Sequence, residues 1–488
     1  MANESPIQGW FQQGLNYHQA GELAKAEALY RKILAENPKH SDTLHLLGVL
    51  QQQNKNSALA VELIKQAIAI NPNIAAYHSN LGIALRNLNC HEHALASYER
   101  ALALKFDFPD AHYNKGVVLE MLELYEQALQ SYCYASQYKP DYIDALWNEC
   151  LCRLKLGDLS TGFAQYERRW QNPKLDLHFF PNLTQPRWNG QDSLTNKAIF
   201  LVAEQGLGDT LQFCRYAEQL AQLGANVLLG VQPPLKSLLS QLPTVSGVYV
   251  KGDVLPEFDY QCPLMSLPWL LKTELATIPV TQQYLSATEE SSAYWRQRLP
   301  PSTRPRVGLV WSGGQLHKND HNRSIALTEF APLLTLSERI QFISVQKEIR
   351  PNDTETLARF NIAHFGAELT DFNVTAGLIA AMDLVISVDT SIAHLAAALG
   401  KPVWLLLPFN ADWRWLLHRD DSPWYPTMRL FRQAYSETWR DVIKTIHLEL
   451  TKRFTDSTSL TDRELLLLQR FNALTEQQQL AWLTLLGD

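Results

Sequence analysis

The chain has 488 residues, a length that predicts about three domains. Apolar residues make up 46% of it and charged residues 19%, so packed cores are expected and extensive disorder is excluded. The net charge of −7 argues against a nucleic-acid binder, which usually carries a basic face, although a single nucleotide needs only a local phosphate site.

Cysteine usage and hydropathy predict the compartment. The six cysteines form no CxxC pair and no metal-finger spacing, which indicates free thiols in a reducing environment. Residues 1–8 lack the basic and apolar segments of a signal peptide. The most apolar region, 379–407, is interrupted by charged and histidine side chains, which indicates a core rather than a membrane span. We therefore expect a soluble, cytoplasmic protein without a transmembrane segment.

A regular repeat occupies the first third of the chain. Glycine and alanine series are complete, and aromatic and proline series run in phase with them. The series are Gly14, Gly48, Gly82 and Gly116; Ala26, Ala60, Ala94 and Ala128; Tyr30, Ile64, Tyr98, Tyr132 and Tyr166; and Pro38, Pro72, Phe106 and Pro140. Small residues allow two helices to cross closely, and proline ends a helix because it lacks an N–H donor. The pattern resembles the tetratricopeptide repeat, which implies a superhelix around a concave groove.

Three asparagines recur in step with this repeat. Asn80, Asn114 and Asn148 are expected to project from the first helix of their hairpins into the groove. An amide offers both a donor and an acceptor, so such a ladder predicts a clamp for an extended peptide backbone. The alternative interpretation is that these amides make local bonds between repeats.

A parallel α/β pattern begins after residue 197. Short apolar runs at 198–203, 226–231 and 247–250 predict strands, and 210–223 predicts an amphipathic helix. Ligands of such sheets lie at the carboxyl ends of strands, where Gly206, Gly208 and Asp209 follow the first run. Two glycines allow the backbone to approach a ligand closely. Asp209 is either a ligand-facing acid or simply the cap of its helix.

A second α/β half restarts at residue 306. Apolar runs at 306–311, 341–345, 383–388 and 403–407 predict strands, and each of the first three ends in a polar segment. Those segments carry Ser312, Gly313, Arg323, Lys347, Asp389, Thr390, Ser391 and His394. A helix beginning at residue 391 offers free N–H groups and hydroxyls, a pattern typical of a phosphate site. The alternative is an ordinary capped helix with a core histidine.

The segment 388–402, Val-Asp-Thr-Ser-Ile-Ala-His-Leu-Ala-Ala-Ala-Leu-Gly-Lys-Pro, resembles the nucleotide-sugar motif of bacterial heptosyltransferases. The earlier Gly-Leu-Gly-Asp at 206–209 resembles the Gly-Asp loop of that family, although Ser391 stands where the family has glycine. The order of repeats and α/β unit is similar to that of protein O-GlcNAc transferases. The resemblance implies an inverting, metal-independent enzyme of the GT-B class with Asp209 as general base.

The resemblance also assigns roles around a nucleotide-sugar. Gly206, Gly208, Asp389, Thr390 and Ser391 would line its site. Ser312 and Gly313 would contact its diphosphate through backbone N–H groups. The implied positive donors are His394, Arg323 and Lys347. No cofactor and no metal are expected beyond the nucleotide-sugar substrate.

The predicted fold class is α + α/β, a tetratricopeptide superhelix followed by a GT-B-like pair of Rossmann-like domains. The expected divisions are a repeat array at 1–171, a linker at 172–196, an acceptor-side lobe at 197–303, a nucleotide-sugar lobe at 304–450 and a helical tail at 451–488. The expected function is glycosyl transfer to a protein held by the groove. The alternatives are a carbohydrate or lipid-linked acceptor, and a non-catalytic scaffold. The tail is expected to pack on the protein itself or on a second subunit.

Overall fold

The computed structural model describes residues 6–173, 175, 177, 180, 183–314, 319–434, 438–455, 471, 474, 478 and 479. The chain divides into two compact units, Met1–Leu175 and Asp176–Asp488. Most of the helical tail expected at 451–488 lies outside the described residues. No helix in the described ranges has the length and apolar content needed to cross a bilayer.

The first unit consists of consecutive helical hairpins. Its helices are α1 (Pro6–Gln19), α2 (Leu23–Glu36), α3 (Ser41–Gln53), α4 (Ser57–Ile70), α5 (Ala75–Asn87), α6 (His91–Leu104), α7 (Pro109–Met121), α8 (Tyr125–Tyr138), α9 (Ile143–Leu156) and α10 (Leu159–Tyr166). Each helix packs against the next along the chain. The predicted tetratricopeptide array is confirmed.

The glycine and aromatic series of the repeat fit each other. A Cβ placed on Gly82 would lie 2.6 Å from the ring of Tyr98, and a Cβ on Gly116 would lie 2.6 Å from the ring of Tyr132. Both tyrosines are fully buried. The absence of a side chain at the glycine therefore makes the space that the aromatic ring of the following helix fills.

The second unit begins with a four-stranded parallel sheet. Its strands are β1 (Ala198–Val202), β2 (Asn226–Gly230), β3 (Val245–Tyr249) and β4 (Tyr260–Pro263), in the order β3-β2-β1-β4. The accompanying helices are α11 (Leu207–Phe213), α12 (Tyr216–Gln222), α13 (Lys236–Leu239), α14 (Leu267–Leu270) and α15 (Glu289–Arg298). The single helix predicted at 210–223 is thus two helices, with the break at Cys214 and Arg215.

Two segments pack in parts of the α/β unit to which the expected divisions did not assign them. Trp188, in the expected linker, donates its backbone N–H to Gln261 O of β4 at 2.9 Å. This part of the connector therefore extends the first sheet. Helix α15, expected in the first lobe, packs against a helix of the second lobe, where Trp295 Nε1 donates to Val374 O at 2.7 Å.

The second sheet is six-stranded and entirely parallel. Its strands are β5 (Arg306–Val310), β6 (Gln341–Ser344), β7 (Ala363–His364), β8 (Leu384–Val388), β9 (Val403–Leu407) and β10 (Met428–Arg432), in the order β10-β9-β8-β5-β6-β7. The helices are α16 (Asp320–Arg323), α17 (Ala331–Leu334), α18 (Thr354–Arg359), α19 (Phe372–Ala380), α20 (Ser391–Ala398) and α21 (Trp439–Thr455). Strands β8 and β9 are buried throughout, as a sheet covered on both faces requires.

The strand orders define where a ligand would bind. In the first sheet the chain order reverses beside β1, and in the second it reverses between β5 and β8. Crevices at the carboxyl ends of strands at such reversals are the usual ligand sites of open α/β sheets. The loops that follow β1, β5 and β8 carry the predicted site residues of the α/β unit except Lys347, which follows β6.

Candidate functional site

The loop after β1 lies directly against the start of α20. A Cβ on Gly208 would stand 3.0 Å from His394 Cδ2 and 3.7 Å from Ser391 Cα. A larger residue at position 208 would therefore separate the two elements, which otherwise pack closely. The structure brings together the two predicted loops, 206–209 and 389–391, which are far apart in the chain.

Asp209 caps its own helix and also reaches the opposite lobe. Its Oδ2 accepts a hydrogen bond from Gly206 N at 2.9 Å, and its Oδ1 forms an ion pair with Arg414. The side chain is 20% exposed. The capping role weighed from the sequence is present, and the carboxylate also remains partly exposed.

Arg414 is a central residue that sequence reasoning missed. It lies in the 3₁₀ turn Trp413–Trp415, its guanidinium stacks on the ring of Trp413, and its side chain is only 10% exposed. Its Nε donates to Gln212 Oε1 at 2.8 Å and its Nη1 to Asp412 Oδ1 at 2.8 Å. No local spacing signals this role, because Arg414 follows β9 whereas Asp209 and Gln212 follow β1.

Asp389 is held by groups from two other loops. Its Oδ2 accepts from Trp415 Nε1 at 2.9 Å, and its backbone oxygen accepts from Arg323 Nη1 at 2.9 Å. Burial, with the nearby Asp412 carboxylate, raises the pKa of Asp389 to about 6. This aspartate therefore fixes the turn before α20 and retains its proton to higher pH than an exposed carboxyl group.

His394 is a buried, neutral side chain, which corrects the expectation that it adds a positive donor. Its Nδ1 is 2.8 Å from Tyr425 Oη, and its ring stacks on Trp415 with 5.4 Å between centroids. Burial, followed by the charge of Arg414, lowers the pKa of His394 to about 3. At neutral pH the uncharged imidazole packs between α20 and the 206–209 loop.

The buried His394 predicts a loss of stability in mild acid. Its pKa of about 3 in the folded protein lies below the unfolded value of about 6.5, so only the unfolded chain takes up the proton between these values. The contribution of His394 to stability should fall as the pH drops below 6.5, by up to roughly 1.4 kcal/mol per pH unit, and the raised pKa of Asp389 opposes it below pH 6. His394→Gln should remove this dependence, measured by chemical unfolding of the second unit at pH 7 and pH 5.

The exposed His321 supplies the matched control for this measurement. His321→Gln should follow the wild type at both pH values. A wild type and a His394→Gln variant that lose the same stability between pH 7 and pH 5 would contradict the buried neutral state of His394.

Ser312 and Gly313 do not present free backbone donors, which corrects a second expectation. Ser312 N donates to Gln346 Oε1 at 2.8 Å, and Gly313 N donates to Ser324 Oγ at 3.0 Å. These N–H groups therefore hold the β5 loop in place. Gly313 instead allows close contact with Arg323, whose Nη2 lies 2.6 Å from where a Cβ would stand.

Arg350, which the sequence did not single out, contacts this loop. Lys347 is exposed at the end of β6. Arg350 Nη2 donates to Gly313 O at 3.3 Å and to Ser324 Oγ at 3.0 Å, and it also pairs with Asp320. Two guanidinium groups, those of Arg323 and Arg350, thus flank the β5 loop, with the carboxylate of Asp320 between them.

Helix α20 begins directly after the turn that contains Asp389. Thr390 is extended, with φ −142° and ψ 168°, and Ser391 opens the helix. First-turn N–H groups have no acceptor within their own helix. The helix ends at Gly400, whose φ of +74° is the left-handed conformation that favours glycine. Among the described residues, no group of three or more His, Cys, Asp and Glu side chains is arranged to hold a metal ion.

The three repeat asparagines bond within the array. Asn80 Nδ2 is 2.7 Å from His45 Nε2, and Asn148 Nδ2 donates to Tyr132 Oη at 3.4 Å. Asn114 Oδ1 accepts from Arg86 Nη1 at 3.0 Å. These contacts favour the second interpretation, in which the amides tie neighbouring helices together.

Models of known protein families match segments in both units of the chain. Residues 17–81 and 79–143 match two tetratricopeptide repeat models, and residues 351–406 match the model of glycosyltransferase family 9 (heptosyltransferase). The latter segment contains β8, the 389–391 turn and α20. The chain thus combines tetratricopeptide repeats with a heptosyltransferase-like segment, which supports glycosyl transfer as its general chemistry.

Among curated proteins, Protein FlbA of Caulobacter vibrioides is 26% identical over 314 residues, which is 59% of this chain and 51% of FlbA. The match thus spans about half the length of that relative. Among solved structures, PilF of Pseudomonas aeruginosa is 22% identical over 34% of this chain and 75% of its own, with a TM-score of 0.32. A thermophilic tetratricopeptide protein of Thermus thermophilus is also 22% identical, over 35% and 93%, with a TM-score of 0.30.

Proposed function

We propose that this protein is an inverting, metal-independent glycosyltransferase that transfers a sugar from a nucleotide-sugar to a hydroxyl group of a protein. The observation that carries the proposal is a contact between two loops. The loop after β1, which carries Asp209, packs against the first turn of α20. A base and an anion site then face one crevice, which is what displacement of a diphosphate by a hydroxyl requires.

In the proposed reaction the acceptor oxygen forms a bond to the anomeric carbon while the bond from that carbon to the diphosphate breaks. Attack from the face opposite to the diphosphate inverts the anomeric centre. Asp209 takes the proton of the hydroxyl group, a contribution of roughly 10²–10⁴-fold for general-base catalysis. The nucleoside diphosphate then leaves with its negative charge.

The charges beside α20 fit a diphosphate. Arg323 contacts the backbone of Asp389, and Arg350 contacts the β5 loop. These two guanidinium groups, with the Asp320 carboxylate between them, supply positive charge at the edge of the crevice. Charged donors of this kind, fixed before the reaction, stabilise charge that develops on a leaving group. Arg350, and not Lys347, is therefore proposed as the second positive donor to the diphosphate.

The repeat groove bears on the choice of acceptor. A tetratricopeptide groove suits a protein, but the internal bonds of Asn80, Asn114 and Asn148 leave less of their amides for a peptide. This favours, as the second candidate, a carbohydrate or lipid-linked acceptor with the repeats docking a partner. The fragment 176–488 discriminates the two, because transfer to a small acceptor should persist in it only under the second candidate.

Binding of a nucleoside diphosphate is the direct test of the proposed function. One member of a panel of nucleoside diphosphates should stabilise the full chain by about 2.7 kcal/mol at 100 times its dissociation constant. The matching nucleoside monophosphate should stabilise it less, because it lacks the second phosphate. The matching nucleotide-sugar should then yield a glycosylated product by mass spectrometry.

Two arginine variants make that test specific. Arg323→Gln should weaken the stabilisation by the diphosphate. Arg429→Gln should not, since Arg429 pairs with Glu449 near the amino end of β10, at the opposite edge of the sheet. A panel in which no diphosphate stabilises the protein would remove the basis for the proposal.

A further inference from the structure

The turn Trp413–Trp415 holds one carboxylate from each lobe of the α/β unit. Arg414 pairs with Asp209, which follows β1, and the next residue, Trp415, donates to Asp389, which follows β8. We infer that this turn is a positioning device for the site, and that Arg414 is the positioning residue for Asp209. The inference rests on the proposed function, in which Asp209 is the base.

The first support is that the contacts of Arg414 account for all three nitrogens of its guanidinium. Nε donates to Gln212, Nη1 to Asp412 and Nη2 to Asp209. A side chain engaged at every nitrogen and stacked on Trp413 cannot shift without breaking several bonds. Its bond to Asp209 therefore fixes the orientation of that carboxylate.

The second support is that the turn itself is fixed from several sides. Asp412 caps it by accepting from Arg414 N at 3.1 Å, and Trp415 O accepts from Arg432. Trp415 is fully buried. The residue after the turn, Leu416, has φ +51°, a region that non-glycine residues rarely adopt. Backbone strain of this kind persists only where the surroundings determine the conformation, and it is concentrated at functional sites.

The charge pattern gives the reason for such a device. The carboxylates of Asp209, Asp389 and Asp412 are all close enough to Arg414 to interact with its charge or bond to it. Asp412 acts against the charged form of Asp389, and the charge of Arg414 offsets this effect. The same guanidinium pairs with Asp209, and in the proposed reaction it holds that carboxylate against the acceptor hydroxyl.

The test measures kcat and the donor KM separately in the full chain. Arg414→Ala should lower kcat by roughly 10²-fold, the scale expected when a reacting group is misplaced by about 1 Å, and leave the donor KM unchanged. Guanidinium chloride at non-denaturing concentration should restore part of kcat in Arg414→Ala. The control Arg429→Gln removes another ion-paired arginine and should keep kcat and show no such recovery.

A rise in the donor KM of Arg414→Ala with kcat retained would overturn the inference, because Arg414 would then be a diphosphate ligand. A double-mutant cycle of Arg414→Ala, Asp209→Asn and the double variant, measured as hydrogen-exchange free energies of amides in α11 and α20, needs no catalysis. Additive shifts in that cycle would also overturn the inference, whereas shifts that are less than additive support it. A wild type that transfers no sugar from any donor would instead overturn the proposed function, and the cycle would still report on the pairing.

Discussion

Replacement of Asp209 by asparagine should lower sugar transfer by roughly 10²–10⁴-fold, the usual contribution of a general base. Asparagine keeps an oxygen that can accept the Gly206 N–H, so the helix cap is retained. It removes the negative charge and the ability to take up a proton. Nucleoside diphosphate binding should be retained, because the proposed anion site lies on α20 and the two arginines of the second lobe. Turnover with a saturating nucleotide-sugar and calorimetric binding of the diphosphate measure the two effects.

Asp441 offers a matched control for that substitution. Its Oδ2 accepts from Thr438 N at 2.9 Å at the start of α21, the same capping geometry that Asp209 has at α11. Asp441→Asn should therefore report any cost of altering a cap, with transfer retained. Equal turnover of Asp209→Asn and the wild type would exclude Asp209 from the mechanism.

The sequence predicted those parts of the site that follow a strong apolar run. Strands β1, β5, β8 and β9 are short, mostly hydrophobic segments, and the polar residues after them mark the carboxyl edge of a parallel sheet. The strand starts were placed within one residue at these four, because a switch from polar to apolar composition is a local signal. The loops at 206–209 and 389–391 were found for the same reason.

The strands that were missed lack that signal. β7 has two residues, β4 includes a proline and a glutamine, and β10 alternates arginine with apolar residues. Each is recognised as a strand only through its partner in the sheet. The break between α11 and α12 was missed likewise, because Arg215 donates to Trp424 O, in a distant part of the chain.

The remaining errors at the site concern the hydrogen-bond partners and the protonation of residues, and not their positions in the fold. His394 lies where it was expected, but the burial that keeps it neutral comes from Trp415 and Tyr425, which no spacing relates to it. The same holds for Ser312, whose N–H is used by Gln346, and for Arg414, which meets Asp209 from the other lobe. Protonation states and hydrogen-bond partners are set by tertiary contacts, so a single sequence does not determine them.

Gly82→Ala should destabilise the repeat array by about 1–3 kcal/mol, the usual cost of overpacking a core. Three ring atoms of Tyr98 would lie within 2.9 Å of the new Cβ, and the ring is fully buried. Alanine is the better helix former, so local propensity alone predicts the opposite sign. Because the chain has two units, a global melt is not a single transition, and hydrogen exchange of amides in α5 and α6 is the appropriate measurement.

Gly9→Ala is the same substitution in the exposed face of α1, where nothing lies within 4 Å of the new Cβ. It should slow exchange in α1 and stabilise the helix by roughly 0.5–1 kcal/mol, since glycine loses more backbone entropy on folding than alanine. Opposite signs at the two positions would show that the repeated glycine series is maintained by the helix crossing. Stabilisation by both substitutions would mean that the Tyr98 ring can move, and that close packing does not require glycine at position 82.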